Sequence, residues 1–232
     1  MYLLNNNINI CLTEDWQIKV AEKVEASECC NKAIVFTDPY ATTARMYKFF
    51  VQDEFIKNLS GDTDIDHIVI VAQTDATFRY IVSTIKSLVY VVSSTVYNGH
   101  AMIKLGDQMI VDIIDASKMT MEDIVEVFDD SFVMVDSAEK MSVMDLSCIT
   151  NSDCLELMLI GKNSSHLKNR LTKDIWTSFQ NSSHVDTFIV SFEKLCGEAA
   201  EGKEEESNIF CFDIPTINMI LEHLRPIKSS IA

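Results

Sequence analysis

The sequence predicts an α/β protein with a mainly parallel sheet that helices cover on both faces. Short apolar runs recur along the chain, and segments with helical spacing of apolar residues separate them. The runs at 33–37 and 67–72 in particular are continuous instead of alternating with polar residues, which is typical of strands buried on both sides. The five runs that carry this prediction are 33–37, 67–72, 131–136, 155–160 and 186–192.

The segments between the runs complete the predicted order of elements. Helical spacing predicts helices at 12–27, 42–58, 75–89 and 167–179. The stretch 94–115 alternates and contains Asn98-Gly99 and Gly106-Asp107, which indicates one or two hairpins between the helical crossovers.

The carboxyl-terminal part differs in composition from the rest of the chain. An acidic, solvated linker at 197–207 precedes a last strand and an apolar helix. We therefore expect a main domain over 1–196 and a second segment over 197–232.

Composition excludes several classes of protein. The 232 residues are 47% hydrophobic and 23% charged, so the chain can form a packed core. The formal net charge of −16 repels phosphate backbones, so we expect direct binding of nucleic acid to be weak or absent. The amino terminus resembles no signal peptide, and no apolar run is long enough to cross a bilayer. We expect no membrane partner and a cytoplasmic or nuclear, intracellular location, in a cell or in a virus-infected one.

Cysteine and histidine show no metal-binding pattern. The 7 cysteines include no Cys-x-x-Cys pair, which favours buried, reduced thiols. The 5 histidines are scattered without ligand spacing. We predict no metal and no cofactor.

Taken in order, the elements resemble the ATPase domain of viral and phage terminase large subunits, which package DNA, and more distantly helicase cores. Residues 12–17 look like the Leu-x-x-x-Trp-Gln segment that helps to hold adenine in that family, so the resemblance assigns this role to Gln17. The strand, turn and helix at 33–50 occupy the place of the phosphate loop. Residues 132–141 are similar to the Walker B strand and its Asp136, and 155–179 resemble the coupling motif.

The resemblance covers about 12–192 and implies a P-loop NTPase-like fold of the terminase or helicase type. It places the degenerate nucleotide site at Gln17, Ala41, Thr42, Thr43 and Asp136.

The sequence departs from this family where ATP chemistry is most demanding. Ala41, Thr42 and Thr43 replace the Gly-Lys-Thr of the phosphate loop, and Asp38 stands at a position that is positively charged in the family. Ser137 occupies the position of the catalytic glutamate, and a serine is too weak a base for that role. Glu139 could replace it only after a shift of the turn. The chain is therefore more consistent with a non-enzyme than with an ATPase.

These observations favour a non-catalytic, terminase-like pseudo-ATPase that acts through protein partners as a scaffold or regulatory subunit of a viral or phage nucleoprotein assembly. One alternative is a sliding-clamp-like module or an acidic DNA mimic. Another is an atypical nucleotide hydrolase that uses Thr42, Thr43 and Asp136 around magnesium. Asp136 could also be a simple helix N-cap, and Trp16 and Gln17 could be an ordinary packing anchor and an exposed amide.

Overall fold

The computed structural model describes residues 20–36, 44–162, 177–179, 184–191 and 209–211. In this part of the chain, helices and strands alternate around one sheet of nine strands. None of the described helices is long and apolar enough to span a membrane.

The described elements follow in chain order. They are α1 (described over 20–25), β1 (Asn31–Phe36), α2 (Ala44–Ser60), β2 (His67–Ala72), α3 (Asp75–Lys86), β3 (Val91–Tyr97), β4 (His100–Leu105), β5 (Met109–Asp115), α4 (Met121–Val125), β6 (Phe132–Val135), a 3-10 helix (Ala138–Lys140), α5 (Val143–Thr150), β7 (Glu156–Lys162), α6 (described over 177–179), β8 (Val185–Ser191) and β9 (Ile209–Cys211).

The strand order is β3-β4-β5-β2-β6-β7-β1-β8-β9. The seven strands from β5 to β9 in this order are parallel to one another. Among the described strands only β4 runs antiparallel to the rest, and it lies between β3 and β5. The predicted mainly parallel α/β sheet is confirmed.

Side chains alternate between two apolar cores, one on each face of the sheet. Ile68 and Ile70 of β2 lie in the first core, which contains α1, α2 and α3. Val69 and Val71 of the same strand lie in the second core with α4 and α5. Because both faces of β2 are buried beyond His67, its positions 68–72 are all apolar. The predicted coverage of both faces by helices is therefore confirmed.

Helix α3 shows how the sequence places a helix against the first core. The hydroxyl of Thr74 caps the helix by accepting a hydrogen bond from the backbone N–H of Thr77 at 3.2 Å. Phe78, Ile81 and Ile85 follow at helical spacing and are buried in the first core. Burial of each such side chain contributes about 2 kcal/mol before losses of conformational entropy.

Two predictions from the sequence differ from the structure. The stretch 94–115 forms more than hairpins, because its last strand, β5, is a parallel neighbour of β2 within the sheet. The four described cysteines are not buried: Cys29 and Cys154 are half-exposed, and Cys30 and Cys148 are exposed. An apolar neighbourhood in sequence does not decide which face of a turn or helix a thiol occupies.

The predicted division at 196 and 197 stays a prediction. The described strand of the second segment, β9, pairs with β8 and so extends the same sheet. The predicted carboxyl-terminal helix lies outside the described residues.

Candidate functional site

The carboxyl edge of the parallel strands is where this architecture places binding sites. Helix α2 follows β1 and packs in the first core. Phe179, in the connection from β7 to β8, packs against the second core. Strands β1 and β7 are neighbours, and the described parts of the connections that follow them pack on opposite faces, so the sheet has a topological switch point between them.

Asp136 directly follows β6 at this edge and is 4% exposed. The phenolic hydroxyl of Tyr47, on α2, donates to its Oδ1 at 2.7 Å. The hydroxyl of Ser137 donates to its Oδ2 at 2.8 Å. The backbone N–H of Asp136 donates to the carbonyl of Val71 at 2.9 Å and so ties the turn to β2. Each carboxylate oxygen is thus held by a hydroxyl from the protein.

The turn after Asp136 is sharply bent. Ser137 has φ of 51°, in the left-handed region that non-glycine residues seldom adopt. It is the N-cap of the 3-10 helix but makes no side-chain capping bond there, because its hydroxyl bonds Asp136 instead. Asp136 is therefore not the cap of this helix. Glu139 lies within the 3-10 helix and is 9% exposed.

A second group of charges lies at the ends of β5 and β2. Asp115 is fully buried, and its Oδ1 accepts from the hydroxyl of Ser117 at 2.6 Å. Lys118 contacts Asp115 Oδ2 at 3.2 Å and also pairs with Asp75 at the start of α3. Hydrogen bonding to Lys118 holds the pKa of Asp75 below its usual range, and the same pairing raises the pKa of Lys118. These contacts lock the loop after β5 to α3.

Two solved structures of a phage protein are similar to this chain. Both are of the large terminase from a thermophilic bacteriophage, one of them in complex with ADP. For each, the TM-score is 0.49 and the sequence identity is 11% over 75% of this chain. The chain spans less than half of those terminase chains, 45% and 44%. No protein-family model and no curated protein matches it.

The structure describes only one of the predicted site residues. Asp136 lies at the carboxyl edge, as expected from its position after an apolar strand. Gln17, Ala41, Thr42 and Thr43 lie outside the described residues. Their roles at a degenerate nucleotide site stay predictions.

Sequence reasoning missed three polar side chains at this edge. Gln73 directly follows β2, and Asp115 is the last residue of β5. A polar residue at the end of an apolar strand is the same signal that identified Asp136. The Gln73 amide nitrogen is buried and has no hydrogen-bond partner among the described residues. No local signal indicates Tyr47 as the partner of Asp136, because helical spacing predicts its burial but not the contact of its hydroxyl.

The described residues contain one carboxylate cluster of the kind that can bind a metal ion. It consists of Glu25, Asp53 and Glu54, on α1 and α2. The Lys57 ammonium lies among these carboxylates at 2.6, 2.8 and 2.9 Å and supplies the positive charge itself. This cluster is an ion-pair network within the first layer of helices and adds no ligand to the carboxyl edge.

Proposed function

We propose that this chain is a non-catalytic, terminase-like pseudo-ATPase domain that acts as a scaffold or regulatory subunit in a viral or phage nucleoprotein assembly. The terminase-like part of this proposal rests on the order of elements and motifs along the sequence. The loss of catalysis is supported by one observation above all: hydroxyls of Tyr47 and Ser137 engage both oxygens of Asp136.

A magnesium–triphosphate group does not suit the residues around Asp136. A carboxylate that binds or orients a hydrated magnesium ion must direct an oxygen toward the ion. Here two hydroxyl donors stabilise the charge of a carboxylate that is 4% exposed. The sequence adds an unfavourable charge at Asp38, and no lysine stands in the loop that would contact the phosphates.

Hydrolysis also needs a base for the attacking water. Ser137 follows Asp136 directly, and its hydroxyl is a donor to that carboxylate. Glu139 is buried within the 3-10 helix. Neither side chain supports the role of a base at this turn.

Calorimetric titration of the full chain with magnesium and ATP, together with a steady-state ATP assay, tests the proposal. We expect no heat beyond dilution and no turnover, in the wild type and in Asp136→Asn. Asp129→Asn is the matched control, because Asp129 is exposed at the opposite end of β6. Turnover that Asp136→Asn removes and Asp129→Asn retains would show an active hydrolase.

The proposal also implies that proteins, and not bare DNA, are the direct partners. With a net charge of −16, the chain lacks the broad positive field that non-specific DNA binding requires. Fluorescence anisotropy with labelled duplex DNA at physiological salt should show no saturable binding. Saturable binding that weakens steeply with added salt would favour a direct role on DNA.

A further inference from the structure

Strand β3 forms one edge of the sheet, and its outer side carries no described partner strand. Its sequence, VVSSTVY, contains no charged residue and no proline over seven residues. Val92, Val96 and Tyr97 are 64%, 49% and 80% exposed. Natural edge strands are usually blocked by charges, proline or short length, because unpaired backbone groups recruit further strands. The bulge between Val91 and Ser93 disturbs only the start of β3.

The backbone groups that β3 offers can be identified from its hairpin. Asn98 and Gly99 both have positive φ, which is the geometry of a two-residue type I′ turn. The flanking pair, Tyr97 and His100, is then hydrogen-bonded, and bonded pairs alternate along the ladder. Ser94 and Val96 therefore direct their N–H and C=O groups outward, away from β4.

Two grooves lie on either side of this edge. The first, which we call the cationic groove, has a volume of about 440 Å³ and is lined by Val96 together with Phe78, Arg79, Val82 and Lys86 of α3. The other lies on the opposite face of the sheet.

The second groove, the tyrosine groove, has a volume of about 520 Å³. Its lining includes Thr95, Tyr97, His100, Met102 and Met119. Side chains of β3 alternate between the grooves, and those of a strand added beside it would do the same.

The cationic groove differs from the rest of this acidic chain in its charge. Arg79 and Lys86 line it, and no carboxylate appears among its described lining residues. Asp75, which lies outside the groove, pairs with Arg79 and is shared with Lys118. The groove therefore favours acidic side chains, whereas the exposed Tyr97 and Met102 of the tyrosine groove favour apolar ones.

We propose that β3 binds an extended segment of a partner protein in which acidic and apolar side chains alternate. The segment adds a strand at the outer groups of Ser94 and Val96, directs its acidic side chains to Arg79 and Lys86, and places its apolar side chains against Tyr97 and Met102. A second copy of the chain is a poorer occupant, because pairing β3 with β3 would bring uncharged residues to the cations. This binding surface on β3 includes none of the predicted nucleotide-site residues, so the proposal does not depend on whether that site binds nucleotide.

Anisotropy of a fluorescent synthetic peptide that alternates Glu and Val, titrated with the full chain, tests this. We expect saturable binding that exceeds the binding of a matched peptide alternating Lys and Val. Combined Arg79→Glu and Lys86→Glu substitutions should weaken binding of the Glu peptide on the order of tenfold and favour the Lys peptide. Lys140→Glu is the control, because Lys140 is exposed on the 3-10 helix and away from both linings.

The backbone part of the proposal has its own variant. Ser94→Pro removes an outward N–H while leaving the ladder to β4 intact, and edge strands tolerate proline at such positions. We expect it to abolish peptide binding with an unchanged circular dichroism spectrum. If Ser94→Pro fails to fold, the charge-reversal variant decides alone. Equal binding of the two peptides, unchanged binding by folded Ser94→Pro, or a dimer that Ser94→Pro dissociates would each overturn the proposal.

Discussion

The phenolic hydroxyl of Tyr47 donates to a buried oxygen of Asp136 across 2.7 Å and thereby joins α2 to the carboxyl end of β6. Both residues are nearly inaccessible to solvent. A carboxylate in such a place needs donors from the protein, because water cannot reach it. The contact therefore has a structural role whether or not a ligand binds at this edge.

Tyr47→Phe should destabilise the protein by about 2 kcal/mol, because it leaves a buried charge with one donor fewer. Urea unfolding at neutral pH measures the change as a lower midpoint with an unchanged slope. Tyr80→Phe is the matched control, since Tyr80 is 51% exposed, and it should have no measurable effect. Equal midpoints for the two variants would contradict a structural role for the contact.

Lys57→Met should destabilise the protein by about 2 kcal/mol at neutral pH, because it leaves Glu25, Asp53 and Glu54 without their shared cation. Burial lowers the pKa of Lys57, but hydrogen bonds to Asp53, Glu25 and Glu54 outweigh burial and raise it. Urea unfolding measures the loss. The exposed Lys86 provides the control substitution Lys86→Met, which should leave the midpoint in place.

The cost of Lys57→Met should also grow as the pH rises. Burial raises the pKa of Glu25, and Lys57 opposes that rise. Removal of the cation raises the pKa further, so the folded variant retains a proton that the unfolded chain releases. A raised carboxyl pKa gives stability that is present at low pH and lost as the pH rises through the folded value. A penalty that is constant from acid to neutral pH would rule out this coupling.

Asp112→Asn should reduce stability at neutral pH and flatten its decline in acid. Burial raises the pKa of Asp112, but hydrogen bonds from His67 and His100, each at 2.8 Å, outweigh burial and lower it. A lowered pKa gives stability above the unfolded value that is lost as the pH falls through the folded one. Unfolding midpoints of the wild type and variant should therefore converge below about pH 4. Asp129→Asn should show no such convergence.

Gly99→Ala should destabilise more than Gly61→Ala, although both glycines have positive φ, of 84° and 76°. A Cβ at Gly99 would lie 3.0 Å from two carbons of Lys118, whereas one at Gly61 would meet nothing within 4 Å. We expect about 1 kcal/mol at Gly61 from backbone strain alone and about 2 kcal/mol at Gly99. Thermal unfolding of the two variants measures the difference, and equal melting temperatures would show that Lys118 moves freely aside.

The parallel sheet could be predicted because its strands are apolar on both faces. The predicted run 67–72 coincides with β2, whose positions 68–72 are all apolar and buried. The pairing of β5 with β2 could not be predicted, because local sequence does not reveal which strands become neighbours. At the carboxyl edge of the sheet, the position of Asp136 after an apolar strand was enough to predict where this residue lies. Its bond to Tyr47, 89 positions away, is a property of the assembled layers.

The central position of β1 has a consequence during synthesis of the chain. Asn31 pairs with Leu157 on one side and Val185 on the other, so neither described strand partner of β1 exists until about 125 more residues have been synthesised. At roughly 5–20 residues per second, an apolar strand waits on the order of ten seconds in the nascent chain. Helices α1 and α2 can shield one face during this interval, but not the backbone edges of β1. Translation speed and chaperone supply should therefore influence the yield of folded protein.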